Sequence, residues 1–159
     1  MTAVLDRILM KAAAIVSLVA MTACAADTVY YDYRHTLKAG WDKGDTLVFS
    51  VPPVRTAGRY HEVVCLRTTG AFPFTGVTLV VGQRSVPRNI VRSDVLKCTL
   101  TDRNGNAKGK GVSLYQYEFD LCDVDLNRGD SLNICIRHDM KREVLSGISD
   151  VGVKIVRTD

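Results

Sequence analysis

Beyond residue 27, apolar side chains recur at every second position, while the 3.6-residue spacing of an amphipathic helix hardly occurs. Successive residues of a strand point to opposite faces, so this alternation is what a half-buried sheet requires. It predicts strands at 28–36, 45–51, 60–68, 76–83, 89–100, 112–121, 130–138 and 148–157. Between them stand KAGWDKGD, PPVRTAG, TGAFPFTG, DRNGNAKGKG, NRGD and KREVLSG, each supplying the Gly, Pro, Asn or Asp that turns need. Residues 139–145, DMKREVL, are the one stretch able to hold a helical turn, so any helix is expected there. Short strands so evenly punctuated predict an all-β fold: a single antiparallel β-sandwich domain of about eight strands, jelly-roll-like. Val151, Val153 and Ile155 form the expected inward row of the last strand.

The start of the chain follows a different pattern. Arg7 and Lys11 precede an apolar run, AAAIVSLVAMTA at 12–23, which ends at Cys24. This is the layout of a secretory signal, and the run is shorter than the ~20 residues a bilayer span needs. Met21-Thr22-Ala23 before Cys24 resembles a bacterial lipobox, in which the signal is removed and the cysteine is acylated on sulfur; Leu is commoner at the first position. The expected division is residues 1–23 as signal and 24–159 as the mature lipoprotein domain, held to a membrane by lipid at Cys24. A plain signal cleaved near Ala26 is the alternative, and Met10-Lys11 offers a second possible start. AADTVYYDY after the anchor has no acidic run resembling a surface-export signal, and Ala25 is not the aspartate of inner-membrane retention, so an outer-membrane position facing the periplasm is expected.

Composition changes this picture little. With 47% hydrophobic and 24% charged residues the chain is an ordinary globular domain, and its formal net charge of +4 is dispersed among acids, as in RHDMKREV, so no nucleic-acid partner is expected.

Several motif echoes fail on spacing. GNAKGKG at 105–111 has three residues where a phosphate-binding loop has four between its glycines, and Gly111 stands where Ser or Thr must hold magnesium. DVDLNRGD at 123–130 begins like a calcium loop, but Arg128 occupies the glycine position and Ile134 that of the closing glutamate. His35, His61 and His138 have no metal-ligand spacing and no GxSxG elbow occurs, so no catalytic residue, metal or cofactor is expected. Setting Cys24 aside leaves Cys65, Cys98, Cys122 and Cys135, none in a C-x-x-C pair. Alternation places Cys98 inward with Leu96 and Leu100, and Cys135 outward with Asn133 and Arg137; Cys65 shares the outward character. Disulfides and separate small hydrophobes both remain open for them.

Five features in order resemble the GldH family of gliding-motility lipoproteins: GWDKGD (40–45), YHEVVCLRTTGAFPFTGVTLVV (60–81), GKGV (109–112), RGDSLNICIRHDM (128–140) and LSGISDVGVKI (145–155). The most specific are R-x-x-x-x-[FY]-P-[FY]-[ST] over Arg67–Thr75 and G-I-x-D-V-G-x-x-I over Gly147–Ile155. The resemblance implies an envelope lipoprotein associated with the gliding apparatus and the type IX secretion machinery linked to it. It implies no activity and carries no catalytic residue. Two binding functions follow as expectations: a scaffold or assembly factor contacting envelope proteins, or a carbohydrate-binding sandwich using Trp41, Tyr60, Phe72 and Phe74 against a glycan. Partner contacts are expected at Arg67, Phe72, Pro73, Phe74 and Trp41, with Arg67 holding the loop through backbone carbonyls and the two phenylalanines pointing to different sides.

Overall fold

The computed structural model describes residues 27–158, so the expected signal at 1–23 and the lipidation expected at Cys24 lie outside the described residues. Ten strands form: β1 (Asp27–His35), β2 (Trp41–Asp42), β3 (Leu47–Val51), β4 (Gly58–Thr69), β5 (Gly76–Val86), β6 (Val91–Thr99), β7 (Leu114–Leu126), β8 (Ser131–His138), β9 (Val144–Leu145) and β10 (Ile148–Arg157). Eight of them make two antiparallel four-stranded sheets, ordered β1-β10-β4-β7 and β3-β8-β5-β6. The chain passes from one sheet to the other between β1 and β3, at β3–β4, β4–β5, β6–β7 and β7–β8, and from β8 across to β10, the jelly-roll course the alternation predicts.

Between the sheets the alternating rows interdigitate. Tyr60, Val64 and Leu66 of β4 and Val151, Val153 and Ile155 of β10 meet Phe49, Leu79, Val81, Ile134 and Ile136 from the opposite sheet, all buried. The inward row of β10 is thus as expected.

The segment 139–145, open to a helical turn by its sequence, ends in a strand instead: Val144–Leu145 pair antiparallel with Trp41–Asp42, closing a small two-stranded flap over the core end. Apolar Val144 and Leu145 find a partner strand there, which outweighs the weak local preference for a helical turn. Strand β7 also runs on to Leu126 instead of ending at 121. Its pairing with β4 shifts between Glu62/Val63, so that Cys122 faces Glu62 while Asp120 faces Val63 and Leu121 is the extra residue of a bulge. The bulge resets the alternation, which makes the second half of the strand unreadable by a fixed period of two.

The shift turns Cys122 inward beside two polar residues of the inward rows, Glu62 of β4 and Gln83 of β5. Glu62 is 1% exposed; the Cys122 thiol donates to its Oε2 at 3.2 Å, and Gln83 Nε2 donates to Cys122 Sγ at 3.6 Å. Glu62 Oε1 and Gln83 Oε1 have no hydrogen-bond partner. Burial pushes the Glu62 carboxyl up to about 7.

Candidate functional site

Trp41 is a core residue. It is 1% exposed, its Nε1 donates to Asp45 O at 3.1 Å, and its ring meets the buried His138 imidazole edge-on with centroids 5.2 Å apart. Gly40 at φ +121° and the Asp42–Asp45 turn fold the indole inward beneath the β2–β9 flap. Tyr60 is likewise 1% exposed, with its hydroxyl donating to Thr56 O at 2.6 Å. Both rings are therefore withdrawn from any partner, glycan or protein, which corrects the expectation for Trp41 and Tyr60.

Arg67 lies on the outer face of the β1-β10-β4-β7 sheet, opposite Asp150 on one side and Gln116 on the other. Its guanidinium does not reach the following loop's carbonyls. It stacks on the Tyr33 ring, 3.8 Å from the centroid. Tyr33 and Tyr31 join their hydroxyls at 3.0 Å, Gln116 Nε2 donates to Tyr31 Oη at 3.3 Å, and Lys154 Nζ bridges Glu118 at 3.3 Å, 5.8 Å from the Tyr31 centroid. Gly152 makes this layer possible: a Cβ there would stand 2.7 Å from the Tyr33 ring. Burial and the bond to Tyr31 raise the Tyr33 phenol well above its ordinary value. Beneath the layer, Cys65 has the outward direction expected of it but is 0% exposed, its thiol pushed up to about 11 by burial. A thiol so protonated is no nucleophile at neutral pH.

The loop after β4 is fixed by the segment that opens β10. Thr69 N donates to Gly147 O at 2.8 Å, Ser149 Oγ to Arg67 O at 3.1 Å, and Thr36 Oγ1 to Ile148 O at 2.5 Å. Gly147, at φ +87°, leaves room for the Phe72 backbone, whose nitrogen would lie 2.4 Å from a Cβ. Phe72 and Phe74 do not point to different sides. The residues between them turn and bend, so strand alternation does not apply, and the two rings meet edge-on 5.6 Å apart, both packed against the core. With Leu100, Tyr115 and Tyr117 they line a depression of about 220 Å³ at the sandwich end, while Pro73 stays exposed. The two most specific motifs, Arg67–Thr75 and Gly147–Ile155, are thereby joined into one rigid surface: the Tyr31–Tyr33–Arg67 layer and the aromatic end loop.

The remaining chemistry-bearing residues are scattered. His35 pairs with Asp150, His61 bridges Asp120 at 3.0 Å and Asp123 at 2.7 Å, and His138 is fully buried. Among the described residues no group of three His, Cys, Asp or Glu side chains is placed to hold a metal ion. Cys65, Cys98, Cys122 and Cys135 are free thiols; Cys98 is buried and Cys135 exposed, as alternation places them.

The sequence profile of the family described as GldH lipoprotein matches residues 28–155, all eight long strands. The chain belongs to the GldH lipoprotein family. A curated member, the gliding motility lipoprotein GldH of Flavobacterium johnsoniae, is 22% identical over 143 residues, covering 86% of this chain and 89% of that protein. GldH membership makes this an envelope-associated lipoprotein of a gliding-motility family, tied to a membrane by lipid. Among solved structures, a family 35 carbohydrate binding module from Clostridium thermocellum aligns with TM-score 0.42 and 15% identity over 79% of this chain and 87% of its own. The mosquito-larvicidal Cry4Aa toxin of Bacillus thuringiensis aligns with TM-score 0.47 and 9% identity over 74% of this chain and 19% of the toxin. These likenesses are of sandwich fold alone. The sites that sequence reading missed are Tyr31, Tyr33, Lys154 and Glu118; the tyrosine alternation in DTVYYDY was their signal, since 31 and 33 share a face.

Proposed function

We propose that this GldH-family protein is a non-enzymatic scaffold or assembly factor of the gliding apparatus and its linked type IX secretion machinery. It is anchored by lipid on Cys24 to the outer membrane, facing the periplasm, and engages envelope proteins. The observation that carries the reading is the union of Arg67–Thr75 with Gly147–Ile155 in one pre-organised surface, which offers exposed Tyr31 and Pro73, the Arg67–Tyr33 stack and the Phe72–Phe74 depression. Rigid aromatics beside an arginine are the groups that contribute most at protein interfaces, because they bury large area with little loss of side-chain freedom.

The test is cross-linking of full-length protein in cells, followed by recovery of partners, for Tyr31→Ala, Phe72→Ala and Phe74→Ala, each with its melting temperature. A variant that melts like the parent and loses partners supports the scaffold reading. Variants that all keep every partner refute it, and binding of the parent to a glycan array without protein partners transfers the surface to the carbohydrate-binding alternative. Protease added to intact cells should leave the domain uncut; cleavage there would place it on the cell surface.

A further inference from the structure

Lipid at Cys24 constrains more than location. Cys24 and Asp27, the first residue of β1, are three Cα steps apart, a reach of at most about 11 Å. Whatever end of the sandwich β1 starts from must lie at the bilayer surface. That end is well defined: Asp27 pairs with Arg157 of β10, and around it stand the 52–57 loop, the Val86–Val91 hairpin and the Asn127–Asp130 turn, where Gly129 N donates to Val54 O at 2.9 Å and Val54 N to Asp130 O at 2.8 Å. The nine residues of β1 then carry the chain about 26 Å away, to the end that holds Phe72 and Phe74.

The tethered end has the chemistry of a headgroup-binding surface. Arg55, Arg59, Arg88 and Arg128 are exposed there. Of the acids beside them, Asp130 is 3% exposed and already paired with Arg88 at 2.8 Å, Asp125 is 3.5 Å from Arg59, and Asp27 is exposed opposite Arg157; with Arg157 counted among the cations the excess stays positive. Apolar side chains project beside these cations: Ile90 is 54% exposed, Val91 65% and Val29 41%, with Pro52, Pro53 and Pro87 exposed as well. Between β1 and the 51–56 segment runs a groove of about 550 Å³ with Val29, Val51, Pro52 and Pro53 among its walls and Arg55 beside them. The opposite end also carries cations, Lys108, Lys110, Lys141 and Arg142 among them, so charge alone does not select an end. The tether does.

We infer that the β1-start end of the sandwich docks on the bilayer that holds its anchor, with Arg55 and Arg128 on anionic phospholipid headgroups and Ile90 and the loop prolines at the interface. A short anchor alone would let the domain tumble; a basic, apolar-studded end beside it supplies the second contact that stable orientation needs. The Phe72–Phe74 loop and the Arg67 end of the outer face then project away from the membrane, toward soluble partners. This inference rests on lipidation at Cys24.

The test uses the full lipoprotein purified from cells, with mass spectrometry of its N-terminal peptide to establish acylation at Cys24. It is reconstituted into vesicles of phosphatidylcholine alone or with phosphatidylglycerol. In a Cys135→Ser background, which removes the exposed thiol, a fluorophore is placed at Ile90→Cys or at Pro73→Cys, and quenching by headgroup-spin-labelled lipid is read. Position 90 is expected to be quenched several-fold more than position 73 in anionic vesicles, with the difference falling several-fold in phosphatidylcholine alone or with Arg55→Glu and Arg128→Glu together. Equal quenching at 90 and 73 on an acylated chain overturns the docking, and quenching at 90 that ignores lipid charge overturns the anionic headgroup as its ligand. An unacylated Cys24 overturns the anchor and this inference with it, which separates the two failures.

Discussion

Replacing Glu62 by Gln should make the domain more stable above neutral pH and leave it nearly unchanged in acid. The carboxyl is 1% exposed, receives one weak thiol donor on Oε2 and leaves Oε1 without a partner, so its charged form is poorly solvated. Burial raises it from 4.5 to about 7. The folded chain therefore holds this proton more tightly than the unfolded one. Stability is full below the unfolded value, declines as pH rises from about 4.5 to 7, and carries the whole penalty above that window. At 1.36 kcal/mol per unit the penalty amounts to about 3 kcal/mol, an upper figure because the site relaxes on ionisation. For a domain of this length that is roughly 10 °C in melting temperature. An amide is neutral throughout and brings an N–H for the unpartnered Gln83 Oε1. Thermal melts of parent and Glu62→Gln from pH 4.5 to 8.5 measure the difference directly, since other titrating groups are common to both. A variant that melts below the parent by the same margin at pH 4.5 and 8.5 would refute the reasoning, because it would mean that Glu62 is ionised and well paired.

Buried His138 runs the other way: burial lowers its imidazole from 6.5, so as pH falls below that value the unfolded chain gains a proton that the folded one resists, and stability drops. His138→Gln should flatten that acid limb in melting curves, and a limb of unchanged depth would assign it elsewhere. Gly147→Ala must hold a side chain at φ +87° with its Cβ 2.4 Å from Phe72 N, a cost of roughly 2–4 kcal/mol read by denaturant titration. Ending the chain at Ser149 removes a strand paired on both edges, with β1 and with β4, and should abolish cooperative melting. A maleimide should modify Cys135 in the native protein, whereas Cys65 and Cys98, buried with thiols pushed up to about 11 and 12, should react only on unfolding.

Periodicity by itself determined the class of fold, the positions of eight strands and the inward rows, because a period of two fixes which face a side chain takes regardless of its neighbours. It placed Cys98 and Cys135 for the same reason. Turn residues marked the connections, since Gly, Pro and Asx carry backbone preferences locally. A face, however, says nothing of what lies against it. Trp41, in a Gly-rich turn, looked like a display residue until the 143–145 segment closed over it and His138 met its ring. Glu62 shares the inward row of Tyr60, Val64 and Leu66, but Cys122 came to face it only because one extra residue in β7 changed the register there. Cys65 points outward and is still buried, because Tyr33 from β1 lies across Gly152 of β10 and under Arg67 of β4. These placements arise where strands distant in sequence are laid side by side, and pairing order and register, which no local pattern encodes, decide which side chains touch.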